Sequence, residues 1–207
     1  KHSGGNVVSL NSPTSAPTSA DVAFKLPNAD GTSGQAIVTD GSGNLSFAGT
    51  GKILQVVQEA KTDQISASVG ASPTLSTDLI SKAITPSATS SKILVRANLI
   101  VGISDDKQVF TQLFKDGSAI AGAKGITGTS RQMISGGVYI TSAGRIGMIT
   151  HEFLDSPNTT SSVTYSYRFS HDSNSSKTIY LNKDHTNSDN SNYTRGYSSI
   201  TLMEVAA

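Results

Sequence analysis

Between Lys92 and Ile103 the chain reads KILVRANLIVGI, and Ile93, Val95, Ala97, Leu99, Val101 and Ile103 occupy alternate positions while Arg96 and Asn98 interrupt the other set. A period of two is the mark of a strand, because successive side chains of extended backbone point to opposite faces. VTYSYRFS repeats the pattern, with Val163, Tyr165, Tyr167 and Phe169 on one face and Thr164, Ser166, Arg168 and Ser170 on the other, which predicts a strand with one wet face. QVFTQLFKDGSAIAG adds a strand, an Asp116-Gly117 turn of the kind tight hairpins favour, and a short return strand. Further strands are expected in ILQVVQEA, TDQISAS, GGVYITS, IGMITHEFLD, KTIYLN and the closing SSITLMEVA. No stretch carries a helical period. Eight to ten strands at short spacing predict an all-β fold for residues 52–207, a β-sandwich or jelly-roll-like head of two packed sheets.

Two shorter regions precede that head. Residues 1–21, KHSGGNVVSLNSPTSAPTSAD, hold too few apolar side chains to offset the entropy of ordering and read as a flexible Ser/Thr/Pro linker. Residues 22–51 read as a β-hairpin neck, in which Ala36, Val38, Leu45 and Phe47 flank the turn sequence TDGSGN. A lone two-stranded hairpin is marginal in water, so the neck needs a neighbour over its apolar side, and another copy of itself would serve. The final strand raises the same question. Ile200 and Leu202 lie on one face and Met203 and Val205 on the other, with Glu204 near the end. A strand apolar on both faces is covered on both. The second cover is either a symmetry-related subunit or a long loop of the same chain, and the pattern does not choose.

Composition removes several function classes. Sixteen Lys and Arg against fifteen Asp and Glu leave no electrostatic footprint for nucleic acid or an anionic membrane. Charged residues make up 15%, against about 25% in an average soluble domain, so the surface is neutral and rich in hydroxyls and amides. With no cysteine there is neither a disulfide framework nor a thiolate metal site. No apolar run reaches a membrane span's length, and the start lacks a secretory pattern; a first residue of Lys rather than Met is expected of a piece of a longer chain.

Catalytic patterns are sparse. GTGKIL around Gly51 and Lys52 lacks the hydroxyl after Lys and the helix that a phosphate loop requires. His2, His151, His171 and His185 form no metal-binding pair, no G-x-S-x-G elbow occurs, and DHTNSDNSN lacks the spacing of a dedicated calcium loop. His151, between Ile149 and Phe153 on one strand face, reads as a satisfied core or interface histidine. The expectation is a protein that is not an enzyme, with no cofactor and no metal. The densest polar chemistry lies between Ser170 and Tyr197, where two loops flank one short strand and carry His171, Asp172, Asp184, His185, Asn187, Asp189, Asn192, Tyr193, Arg195 and Tyr197. Planar amides, carboxylates and aromatic rings can hydrogen-bond sugar hydroxyls and stack on sugar faces. Binding residues also concentrate on loops of a rigid β scaffold, so these ten are the candidate receptor-binding residues.

The phrases LPNADGTSGQAIVTDGSGNLSF, ITPSATSSKILV, FLDSPNTTSSVTYSYRF and SSITLMEVAA, in that order and with the last at the end of the chain, together resemble the C-terminal regions of tail fibres and related virion fibre proteins of tailed bacteriophages, marine and cyanobacterial phages above all. The resemblance spans nearly everything after the linker. It implies a homotrimeric virion protein, assembled in the host cytoplasm, whose head meets a glycan, lipopolysaccharide or protein receptor on the host and whose upstream region joins other virion proteins. Under it, Val38, Leu45 and Phe47 of the neck and Met203 and Val205 of the last strand become the expected trimer interface. It transfers no catalytic residue. A structural, decoration or capsid-fibre role is the alternative, and a polysaccharide depolymerase a more distant one.

Overall fold

In the computed structural model, which describes residues 15, 24–32, 34–49, 51–126 and 130–206, the chain forms two units, Lys1–Thr50 and Gly51–Ala207. The expected linker falls almost wholly outside the described residues.

In the first unit, β1 (Gln35–Thr39) and β2 (Leu45–Gly49) pair antiparallel across Asp40-Gly41-Ser42-Gly43-Asn44. Gly41 and Gly43 adopt φ of 81° and 87°, values that favour a residue without Cβ. The Asp40 carboxylate organises the loop: Oδ1 accepts the Ser42 N–H (2.8 Å) and the Asn44 N–H (3.2 Å), and Oδ2 accepts the Asn44 amide (2.5 Å). These bonds, that from Asn44 foremost, hold its pKa below the usual carboxylate range. Lys25 lies alongside, donating its N–H to Gly43 O and accepting from the Leu45 N–H, both at 2.8 Å.

The five-residue turn sets a register that divides the residues expected at the neck interface between the two faces of the hairpin. Ile37 stands opposite Phe47 and Thr39 opposite Leu45, whereas Val38 faces Ser46. Directly opposed residues share a face, so Leu45 and Phe47 go with Ile37, and Val38 points the other way. Gly31 packs on the Phe47 ring so closely that a Cβ there would come within 2.6 Å of it. The first Asp-Gly pair therefore covers an aromatic ring, and only the second makes the hairpin turn.

Among its described residues the second unit holds eleven strands, one more than the upper expectation. They are β3 (Ile53–Lys61), β4 (Ile65–Val69), β5 (Ile80–Ile84), β6 (Lys92–Ile103), β7 (Lys107–Lys115), β8 (Ser118–Ala119), β9 (Gly136–Ile140), β10 (Gly147–Asp155), β11 (Val163–His171), β12 (Lys177–Leu181) and β13 (Ser198–Val205). Among the described residues the sole helical element is a 3-10 turn, Ala121–Ala123. One sheet is ordered β3-β13-β6-β12-β4, with β10 also on β6. The other is ordered β5-β11-β7-β8, with β9 also on β7. All these strand pairings are antiparallel. Long β6 organises the first sheet: residues 92–98 pair with β13, residues 101–103 with β12, and residues 93–101 with β10.

The two sheets share one core. The alternate residues Ile93 to Ile103 of β6 are buried as the period predicts, together with Ile200 and Leu202 of β13 and Val163, Tyr165, Tyr167 and Phe169 of β11. Burying each large side chain is worth about 1.5–3 kcal/mol. Polar contacts join the sheets where β10 meets β11. The Tyr165 hydroxyl donates to Asp155 Oδ2 at 2.7 Å, Lys115 Nζ donates to the same oxygen at 2.7 Å, and His151 Nδ1 bonds the Tyr167 hydroxyl at 2.7 Å. Burial lowers the His151 pKa and raises that of Tyr167, and burial followed by the Asp155 bond raises that of Tyr165.

One strand escapes the sequence reading and one expectation needs correction. β5, ISKAI, is too short to show a period, yet its Ile80 and Ile84 are buried because it pairs with β11. The supposedly wet face of β11 is not uniformly wet, since Ser166 and Ser170 are buried. Ser170 donates to Gln132 Oε1 (2.9 Å), whose amide nitrogen donates in turn to Ser72 Oγ and His171 O. The Arg168 guanidinium lies 4.2 Å over the Phe114 ring and is bonded to Asp78. A connecting segment and a stacked arginine cover what the alternation alone leaves open.

On the outer face of the first sheet the register aligns Val56, Met203, Leu94 and Leu154 in one row across β3, β13, β6 and β10. Val56 is 55% exposed and Leu154 47%. No segment among the described residues of this unit covers the row.

Candidate loop pocket

After β12 the chain does not simply wander through solvent. Asn182, fully buried and at φ 66°, ties the loop to the sheet. Its amide nitrogen donates to Lys61 O (2.8 Å) and Asp63 O (2.9 Å), its Oδ1 accepts from the Ser198 hydroxyl (2.7 Å), and its N–H donates to Ile100 O (2.8 Å). Lys183 and Arg195 then bridge the base of the loop, and the Gly196 N–H closes onto Asn182 O. β6 makes room at Gly102, where a Cβ would stand 2.6 Å from Lys183 O. Side chains secure the flank. His185 Nδ1 meets the Tyr180 hydroxyl at 2.6 Å, the His185 N–H donates to Ala143 O, and the Tyr193 ring lies against Gly144.

The loop encloses a pocket of about 180 Å³ lined by Asp184, Asn187, Ser188, Asp189, Asn190, Tyr193, Thr194 and Arg195. Asp184, 1% exposed, accepts the Asn187 N–H on Oδ1 at 2.6 Å, while its Oδ2 is buried with no hydrogen-bond partner in the protein. Arg195 Nε donates to Asn187 Oδ1 at 3.3 Å, and Asn190 Oδ1 accepts the Asn192 N–H at 2.9 Å. The lining therefore presents carboxylate and amide oxygens, amide and guanidinium donors and a phenol within one concavity.

Five of the ten residues expected from the sequence line this pocket: Asp184, Asn187, Asp189, Tyr193 and Arg195. His185 supports it through Tyr180, and Asn192 supports it through Asn190. The other three lie apart. His171 is fully buried, with Nε2 3.2 Å from Val69 O and Nδ1 accepting the Ser173 N–H, so it offers no face to a ligand and is corrected to a structural histidine. Asp172 accepts the Gln108 N–H. Tyr197, 62% exposed, borders a groove on the outer sheet face with Gln58, Arg96, Asn98 and Met203. Sequence reading passed over Asn182 and Gly102, which position the loop, because a buried anchoring Asn and a surface-loop Asn look alike in a polar stretch.

No family model matches the chain, and no curated protein matches it. Solved structures that resemble it include infectious bursal disease virus Gx strain (12% identity, TM-score 0.40, covering 79% of this chain and 40% of that one) and the T=1 particles derived from the same virus (12%, TM-score 0.41, 79% and 39%). The VP2 subviral particle of that virus is also similar (10%, TM-score 0.37, 79% and 40%). The chain spans about two fifths of the length of these proteins. Likeness of this degree carries no argument about function, and the sandwich stands on its own strand pairing.

Proposed function

We propose that this chain is the neck and head of a homotrimeric virion fibre, a tail fibre of a tailed bacteriophage, whose loop pocket binds a glycan or lipopolysaccharide on the host surface without turnover. The observation that carries the binding part is the pocket itself. Planar oxygen acceptors and N–H donors converge there on a loop held by buried bonds, so little ordering entropy remains to be lost when a ligand arrives. Neighbouring sugar hydroxyls match such planar donor and acceptor pairs, and Tyr193 offers a ring. The virion and tail-fibre part rests on the four ordered phrases of the sequence.

The open apolar row Val56, Met203, Leu94 and Leu154 supports self-association through β13, with Val205 on the same strand face. Copies of this chain are the occupant proposed for it. Met203→Asp would place an unpaired charge in that contact, and light scattering on the folded variant should report monomer in place of trimer. An unchanged trimer would overturn the interface.

Adsorption to host cells tests the binding role. Tyr193→Ala combined with Arg195→Ala should weaken binding by at least about tenfold with the melting temperature lowered by no more than a few degrees, since both side chains border the pocket and the buried Asn182 bonds that seat the loop remain. Undiminished adsorption would remove the pocket from the receptor site and leave the decoration role.

A further inference from the structure

The Asp184 carboxylate carries a cost that its neighbours among the described residues only partly offset. One of its oxygens is satisfied by the Asn187 N–H, and the other is buried with no donor within reach. A buried carboxylate oxygen without a partner is destabilising by more than an ordinary hydrogen bond is worth, and such groups are retained where a water or an ion supplies the missing partner. Among the described residues no arginine or lysine bonds that oxygen: Arg195 directs its Nε to Asn187, and Lys183 lies 5.1 Å over the Tyr180 ring.

We infer that the loop of residues 184–195 closes around a calcium-like divalent cation, with Asp184 Oδ2 as the innermost ligand. The donor set fits a hard ion. Beyond Asp184 the lining residues Asp189, Asn187, Asn190, Ser188 and Thr194 carry carboxylate, amide and hydroxyl oxygens, of which Asn187 Oδ1 and Asn190 Oδ1 each already accept one bond and keep a second lone pair. Calcium takes about six to eight oxygen ligands in flexible geometry, which such a loop can provide. Two carboxylates against one guanidinium leave the lining at net −1, attractive to a cation. Zinc does not fit, because the lining holds neither His nor Cys, and no three of His, Cys, Asp and Glu gather anywhere among the described residues, so a cation here relies on amide, hydroxyl and main-chain oxygens beyond its two carboxylates. Magnesium fits poorly, since it demands near-octahedral geometry and dehydrates reluctantly. With only two carboxylates, affinity belongs in the weak range of extracellular calcium modules, a Kd of about 10⁻⁴–10⁻³ M. The inference stands apart from glycan binding, because its probe is the ion alone.

Calorimetric titration of the whole chain with CaCl₂ should show one site per chain in that range, and about 5 mM calcium should raise the melting temperature by a few degrees while equal magnesium does not. Asp184→Asn keeps the shape and the Oδ1 acceptor while removing the charge. It should fold, melt at or above the wild-type temperature without calcium, and lose at least about tenfold in calcium affinity. Asp189→Asn, at the pocket wall, should weaken calcium with no change in calcium-free stability. Absence of calcium binding by the wild-type chain, or equal binding by the folded Asp184→Asn chain, would overturn the inference; should Asp184→Asn fail to fold, unchanged calcium affinity in Asp189→Asn would do so.

Discussion

Glu204 provides the sharpest test of how the head is held together. It sits one residue from the end of β13, 1% exposed, beside the irregularity between Glu204 and Val205. Oε1 accepts both the Ser87 N–H (2.7 Å) and the Ser87 hydroxyl (2.6 Å), and Oε2 accepts the Gln55 amide (2.6 Å), which also donates to Thr85 O. One carboxylate thus fastens the β5–β6 connection to β3 and β13. Burial alone would raise its pKa, but the bonds from Ser87, Gln55 and Ser91 prevail and hold it at about 2, against an ordinary 4.5. At roughly 1.4 kcal/mol per pH unit that displacement corresponds to about 3–4 kcal/mol, of which the amide oxygen that Gln keeps as an acceptor retains a part, so about 2 kcal/mol is at stake in the variant.

The sign follows from linkage. Because the folded pKa lies below the unfolded one, the unfolded chain takes up the proton first, so this stability is whole above pH 4.5 and drains away as pH falls towards 2. Glu204→Gln keeps the shape but turns an amide donor towards groups that are themselves donors. At pH 7 it should cost about 2 kcal/mol, a fall of roughly 4–8 °C in the melting temperature of a unit this size. Melts followed by circular dichroism at pH 7, 5, 4, 3 and 2.5 should show the gap between wild type and variant narrowing below pH 4.5. A gap of the same size at every pH would refute the reasoning, as would a variant that melts with the wild type at pH 7.

Two further outcomes follow from the geometry. Gly102→Ala would drive a Cβ to 2.6 Å from Lys183 O, a main-chain atom that cannot swing away, so a loss of about 1–3 kcal/mol in urea unfolding is expected together with reduced calcium binding; wild-type stability would mean that the loop is not seated as described. In the neck, the register predicts that Ile37→Asp weakens any self-association of the hairpin more than Val38→Asp, and sedimentation showing the reverse order would contradict the pairing of Ile37 with Phe47.

The sheets were legible in the sequence because alternation is a local signal and most strands, β5 excepted, carry their own. The core face of β6 could be named residue by residue, and the Asp116-Gly117 turn between β7 and β8 lies where the dipeptide predicts, with φ values of 47° and 78°. What alternation cannot report is what lies over the second face. Ser166 and Ser170 read as solvent-facing, yet Gln132, more than thirty residues earlier, lies over that face, and no local pattern announces it. The neck failed for a related reason: the residues flanking the turn were identified, but the face each takes depends on whether the loop holds four residues or five, and one residue's difference exchanges Val38 for Ile37.

The pocket lies between these cases. Loops have no period, so composition could mark 182–197 as chemically dense but could not sort inward residues from outward ones. Within six positions Asn182 turns into the sheet while Asp184 and Asn187 turn to the pocket, and all three are polar residues of similar size. The sorting is done by the sheet. Asn182 reaches Lys61 at the end of β3, Asp63 beyond it and Ser198 at the start of β13, so three separated pieces of chain fix one side chain. A loop anchored in this way keeps its shape when its wall residues change, which separates the two kinds of position physically. Substitutions at Asp189, Tyr193 or Arg195 alter what the pocket holds at little cost in stability, whereas substitutions at Asn182 or Gly102 move the loop itself. The polar stretch is therefore better understood as a rigid rim whose wall can vary than as a solvated connection.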